Sequence, residues 1–274
     1  MRQASEAVDW LAEAPTHSAL FTDFDGTLSN IVLHPEIARP LPGVPEVLHR
    51  LAAQLRVVAV VSGRPAAWLV DQLGLARYPG GSKGLVEAYG LHGLEHTTGG
   101  VIELAAAATA WQEAVAKARD ETVAAGIVGL EVEDKRYSVT LHWRKAADPA
   151  AVSEQATRLA RRLEASTGLL ARPGKASLEL VAPIGIDKGS VVRSWAEASD
   201  IERVAFFGDD VSDLPAFAAI DELVRSGAIT GLKIAVTGPE APTDLIDHAD
   251  LVLSSPEEAV TLLVSLADRL ERPD

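Results

Sequence analysis

Four short apolar runs limit what this chain can fold into, because each stops abruptly at a polar or glycine-containing turn. They are SALFT before Asp23, RVVAVV before Ser62, RVAFF before Gly208 and GLKIAV before Thr237. Unbroken apolar runs of this length mark strands covered on both faces, as in a parallel sheet flanked by helices. Between the first two, PGVPEVLHRLAAQL sets Val44, Val47, Leu48, Leu51 and Leu55 at helical spacing, so the order is strand, helix, strand. Amphipathic patterns over 188–198, 213–219 and 257–270 continue the alternation, which predicts a doubly wound α/β domain.

The middle of the chain reads differently. Residues 104–125 form an alanine-rich helical pattern closed by Gly126, and 149–167 form another closed by Gly168. In YSVTLHWR, Tyr137, Val139, Leu141 and Trp143 alternate with Ser138, Thr140, His142 and Arg144, and in GKASLEL, Lys175, Ser177 and Glu179 alternate with Ala176, Leu178 and Leu180. Period-two alternation predicts strands with one wet face. The expected organisation is a core over 1–103, an inserted α+β module over 104–180 and the rest of the core over 181–274.

Function enters where the apolar runs end, since ligands of open α/β sheets bind beyond the carboxyl ends of the strands. Asp23 and Asp25 follow the first run, and an extended backbone would point both side chains the same way. Ser62 and Arg64 follow the second, and Asp209, Asp210 and Asp213 follow RVAFF. Lys188, in GIDKGS, opens a helix whose N-terminus favours anions. Two carboxylates about 4 Å apart repel by about 4 kcal/mol at an effective dielectric near 20. A hard cation with oxygen ligands reverses that sign, and Mg2+, which binds one or two carboxylates together with phosphate, fits. A carboxylate beside such a cation can attack phosphorus, Ser62 and Lys188 can hold phosphoryl oxygens, and Asp25 can move the proton.

Composition narrows the partners. A net charge of −14, from 25 basic and 39 acidic residues, argues against a nucleic-acid backbone or an anionic membrane as partner. The chain has no cysteine, which removes thiolate chemistry and suits a reducing compartment. The N-terminal MRQASEAVDWLAEAP carries acids where a secretory signal needs a basic and then an apolar stretch. A cytoplasmic protein with a small-molecule substrate is expected, of an oligomeric state that sequence leaves open, a monomer included.

In chain order, DFDGT, VVSGR, IDKG and GDDVSD resemble the four motifs of the haloacid dehalogenase (HAD) superfamily. The resemblance implies a Rossmann-like core and Mg2+-dependent phosphoryl transfer. It makes Asp23 the nucleophile, Asp25 the general acid/base, Ser62 and Lys188 phosphate ligands and Asp209 a metal ligand. The expected catalytic set is therefore Asp23, Asp25, Ser62 and Lys188, and the expected metal set is Asp23, Asp25, Asp209 and Asp213. The insertion resembles a type C2 cap, and YGLHGLE, VEDKRYSVTLHWR and GKASLEL resemble the trehalose-6-phosphate phosphatase family. That likeness implies sugar contacts by Glu133, Lys135, Arg144, Lys175 and Glu179; the strand pattern puts Glu133 and Lys135 at a hairpin tip, and Arg64, after the second run, is also expected to bind substrate. His92 has no settled role, since a lone histidine after a strand can serve packing or capping. The alternatives are a phosphatase for sucrose phosphate or mannosyl-phosphoglycerate, a phosphomannomutase, and a non-enzymatic phosphosugar-binding protein.

Overall fold

Strand β1 (Ser18–Thr22) is buried at every residue, and so is β2 (Val57–Val61) beside it. The computed structural model that describes them covers residues 3–32, 34–75, 84–98, 101–198, 200–238 and 241–272. The chain divides into two units, Met1–Glu103 with Ile186–Asp274, and Leu104–Gly185.

The first unit is built on a sheet that adds β3 (Val86–Gly90), β4 (Glu95–Thr98), β5 (Val101–Leu104), β10 (Arg203–Gly208), β11 (Thr230–Val236) and β12 (Leu251–Leu253). Its order is β12-β11-β10-β1-β2-β3-β4-β5. Strands β12 through β3 run parallel, and β4 returns antiparallel to β3. Because successive side chains leave a strand on opposite faces, the apolar runs split between two cores. Leu20, Val58, Val60, Ala205 and Phe207 pack with α1 (Ala4–Ala12), α2 (Val44–Ala52) and α9 (Pro256–Glu271). Ala19, Phe21, Ala59, Val61 and Phe206 pack with α6 (Lys188–Ala198) and α7 (Leu214–Arg225). Burying a large apolar side chain fully is worth about 1.5–3 kcal/mol, so unbroken runs are stable only between such layers.

The connections locate the site. The chain leaves β1 through α2 to β2, goes on through α3 (Ala66–Gln72) to β3, and later returns through α6 to β10, on the other side of β1. Strand order therefore reverses at β1, and the crevice at such a reversal lies beyond the carboxyl ends of β1 and β10.

The second unit is a four-stranded antiparallel sheet in the order β6-β7-β9-β8, made of β6 (Glu131–Asp134), β7 (Ser138–His142), β8 (Leu170–Gly174) and β9 (Ser177–Val181). Helices α4 (Gln112–Ala124) and α5 (Pro149–Thr167) cover one face, where Val115, Val139, Leu141, Leu159, Leu163 and Leu180 form the core. Helix α5 spans the expected residues, and Gly168 ends it in the left-handed region at φ 77°. The helix expected over 104–125 begins later: Leu104 ends β5, Ala106–Trp111 form a 3-10 segment, and only then does α4 start. Trp111 packs against the unit's core, and that packing outweighs the helical preference of the alanines, which is a weak local bias. GKASLEL is likewise not one strand. Lys175 and Ala176 form the turn between β8 and β9, with Ala176 at φ 52°, and β8 went unread because Pro173 is tolerated in a strand only at an edge such as this one. Among the described residues no helix is long and apolar enough to cross a membrane.

Candidate active site

Asp23 continues β1 by one residue, its N–H donating to the Phe207 carbonyl at 2.8 Å, so its side chain is delivered to the mouth between β1 and β10. Asp23 Oδ1 accepts from the Phe24 N–H at 2.7 Å and lies 3.0 Å from Lys188 Nζ. Lys188, at the first residue of α6 and 1% exposed, also donates to Asp213 Oδ1 at 2.6 Å. The second oxygen of Asp213 accepts the backbone N–H groups of Asp209 and Asp210 at 2.9 and 3.0 Å. Asp213 thus folds the loop after β10 while orienting the lysine. Asp210 is turned away to this loop's own needs, since its carboxylate accepts from the Val211 N–H at 2.7 Å as a helix cap. The Asp210–Asp213 spacing is a capping pattern legible in the sequence.

Asp23, Asp209 and Asp213 each offer one carboxylate oxygen, these three lie within 4.8 Å of one another, and all three residues are buried. Burial pushes the Asp23 carboxyl well above the ordinary aspartate range; Lys188 opposes this, and Asp213, Asp209 and Asp25 add to it. Burial also works against charge on Lys188, but Asp213 and then Asp23 overcome it and leave the ammonium above the usual lysine range. One cation against three close carboxylates leaves negative charge uncompensated, and an all-oxygen donor set suits a hard divalent ion. The backbone is shaped for close approach as well. Gly26 has φ 80°, and a Cβ on it would lie 2.0 Å from Asp209 Oδ2, so only glycine lets the loop after β1 pass this carboxylate. These residues fit a metal.

Asp25 lies apart from that trio. Extended backbone stops after β1, and the chain turns, with the N–H groups of Leu28 and Ser29 both donating to the Phe24 carbonyl. The extended backbone on which the expectation for Asp23 and Asp25 depends therefore ends with β1. Asp25 instead meets Arg64 in a two-pronged pair, Nε to Oδ2 and Nη2 to Oδ1, each 2.7 Å. Arg64 stacks on Trp68, its guanidinium carbon 4.6 Å from the ring centre, and Trp68 meets Phe24 edge-on at 5.0 Å. Ser62 follows β2, is 1% exposed, and its hydroxyl accepts from the Arg64 N–H at 3.2 Å. The first unit thus gathers Asp23, Lys188, Asp209 and Asp213 in one cluster and couples Asp25, Ser62 and Arg64 through short contacts. The Arg64–Asp25 pair had no signal in the sequence, because the partners are 39 residues apart.

In the second unit, the sheet face opposite α4 and α5 carries a row of polar groups. Glu133 pairs with Thr140, Thr140 with Glu179, and Glu179 with Arg172 across four strands. Lys135 Nζ lies 3.2 Å from Glu179 and 4.0 Å from Glu133; the Ser138 hydroxyl donates to Glu179 at 2.7 Å, and His142 Nε2 is 2.9 Å from Glu133. Burial pushes the Glu133 carboxyl up, but the His142 hydrogen bond and the Lys135 charge prevail and hold it below the usual range. Glu133 belongs to β6 and only Lys135 sits in the turn, which corrects the expectation of both at the tip. Arg144 lies beyond the end of β7 rather than on it, and donates to the Lys175 carbonyl at 3.3 Å.

Residues 21–244 match the family model described as trehalose-phosphatase. The chain is 36% identical over 278 residues to a trehalose-phosphate phosphatase of Mycolicibacterium paratuberculosis, covering 98% of this chain and 67% of that protein. It is also 36% identical over 281 residues to one of Mycobacterium avium, with the same two coverages. Among solved structures it is similar to the C-terminal domain of C. albicans trehalose-6-phosphate phosphatase, with TM-score 0.78, 21% identity and 97% of each chain covered. With a doubly wound parallel sheet, a buried aspartate–lysine–aspartate cluster at its reversal, a family model matched over residues 21–244 and relatives 36% identical over nearly its whole length, this chain belongs to the trehalose-phosphatase family.

Proposed function

We propose that this chain is a cytoplasmic Mg2+-dependent phosphatase that hydrolyses trehalose 6-phosphate to trehalose and phosphate through a phosphorylated Asp23. The observation that carries the reading is the buried Asp23–Lys188–Asp213 chain at the sheet's reversal point, in a family whose relatives bear that activity in their names. Asp23, held by Phe24 N–H and Lys188, forms a bond to phosphorus while the bond from phosphorus to the sugar oxygen breaks. Asp25 gives its proton to that oxygen, then takes one from the water that cleaves the aspartyl-phosphate and frees Asp23. Lys188 and the Ser62 hydroxyl take the phosphoryl oxygens. Asp23, Asp209 and Asp213 would hold Mg2+, which would supply neutralisation of phosphoryl charge, with Asp25 as a further carboxylate of the expected metal set.

The sugar is assigned to the polar sheet face of the second unit, to Glu133, Lys135, Arg144, Lys175 and Glu179. Glu179 is 9% exposed and already ion-paired and hydrogen-bonded, and such preordering suits a polyhydroxylated ligand better than a merely solvated surface. Phosphate release from trehalose 6-phosphate, sucrose 6-phosphate, mannosyl-3-phosphoglycerate and glucose 6-phosphate tests this. A clear preference for the first supports the reading, and equal rates on all, or none on the first, overturn it. Asp23→Asn should lower turnover by at least about 10⁴-fold with the fold intact.

A further inference from the structure

Leu91, His92 and Gly93 form a 3-10 turn after β3, and all three are in the left-handed region, at φ 50°, 59° and 111°. Two of them carry side chains, one a leucine, and non-glycine residues rarely hold this conformation unless surrounding contacts impose it. The contacts that impose it run in two directions. Toward the loop after β2, the Leu91 N–H donates to the Arg64 carbonyl, the His92 N–H to the Ser62 carbonyl, and the Ser62 N–H to the Tyr89 carbonyl, each at 2.9 Å. The His92 ring lies against Gly63, where a Cβ would come within 2.9 Å of ring Cε1 and Nε2. Toward α6, a Cβ on Gly93 would lie 2.8 Å from Val191 Cγ2 and 3.2 Å from Ile186 Cγ2, just around Lys188.

We infer that this strained turn is a spacer between the two phosphate-holding elements, and that His92 is the positioning residue that sets the Ser62–Arg64 loop through its contact with Gly63. The inference rests on the reading that Ser62, Lys188 and Asp25 serve phosphoryl transfer. In this inference His92 acts through that loop and not on the substrate. It fixes the segment that carries the Ser62 hydroxyl and, through Arg64, the orientation of Asp25. A displacement of 1 Å in such a group costs about 100-fold in rate.

His92→Gly is the test, because glycine keeps the left-handed backbone without strain and removes only the ring. The expected protein melts at the same or a higher temperature, yet its kcat for trehalose 6-phosphate falls by about tenfold or more while KM changes by less than about threefold. Unchanged kcat overturns the inference. Gly63→Ala adds the methyl that the ring excludes, so it should lower kcat and Tm in the native background and change neither beyond the single variant in His92→Gly. Additive losses overturn the ring contact. Wild-type protein that releases no phosphate from trehalose 6-phosphate would instead overturn the function reading. In that event the Tm arm of the same cycle still decides the contact.

Discussion

Asp23 and Asp25 are separated by one residue and meet different cations. Asp23 is buried and shares Lys188 with Asp213, whereas Asp25 faces Arg64 in a part-exposed pair. The division follows from the turn after β1, which bends the backbone at Phe24, and in the proposed function it gives two like groups two jobs: the buried one would attack and the reachable one would move protons. Lys188 is the residue on which the cluster's stability rests. Replacing it by Met leaves carboxylates buried without their cation, which typically costs about 3–5 kcal/mol. Thermal unfolding of Lys188→Met should show that loss, and adding Asp213→Asn should recover part of it by removing one stranded charge. A double variant less stable than the single would contradict this account. The identities of these aspartates and of the lysine were legible, since each closes an apolar run or opens an amphipathic one. Their pairing was not, because Lys188 reaches Asp213 over 25 residues and Asp25 reaches Arg64 over 39.

At the scale of elements, local rules succeeded where burial is one-dimensional and failed where an element is shaped by its neighbours. Helix α5 has an N-cap, Asp148, whose carboxylate accepts from Ala151 N–H at 3.0 Å, and a left-handed glycine at its end, both printed in the sequence. Lys175 was misplaced because a tight turn and an edge strand with a proline carry little alternation. Helix α2 yields a pH prediction. Burial lowers the pKa of half-buried His49, with Glu46 opposing, so the folded protein holds the imidazole neutral more strongly than the unfolded chain does. The sign follows: stability is full above the unfolded value near 6.5 and falls as pH drops toward the lower folded value, because the unfolded chain then binds the extra proton. Urea midpoints measured from pH 7.5 to 5.5 should decline less in His49→Gln than in the native protein. Parallel declines would remove His49 from the account.

For the whole molecule, the crowding of Asp23, Asp209 and Asp213 predicts that fold and activity answer to the same divalent ion. Mg2+ that binds the folded chain and not the unfolded one adds about 2.7 kcal/mol of stability at 100 times its Kd. Titrating Mg2+ into chelator-treated protein should raise Tm and restore phosphate release over the same concentration range, with a smaller rise in Asp209→Asn. A Tm indifferent to Mg2+ would count against the carboxylate trio as its site.

By itself the sequence determined that buried parallel strands would end in carboxylates and a serine and that a lysine would open a helix, because apolar runs, helical spacing and their abrupt polar ends are properties of neighbouring residues. It also placed these groups in one chain order, from DFDGT to GDDVSD. Only the tertiary structure decided which cation each carboxylate would meet and what His92 rests against. Those contacts exist because β10 returns to the far side of β1 and the turn after β3 is pressed between the Ser62 loop and α6. Contacts across such distances depend on strand order and packing, which no local pattern of residues encodes.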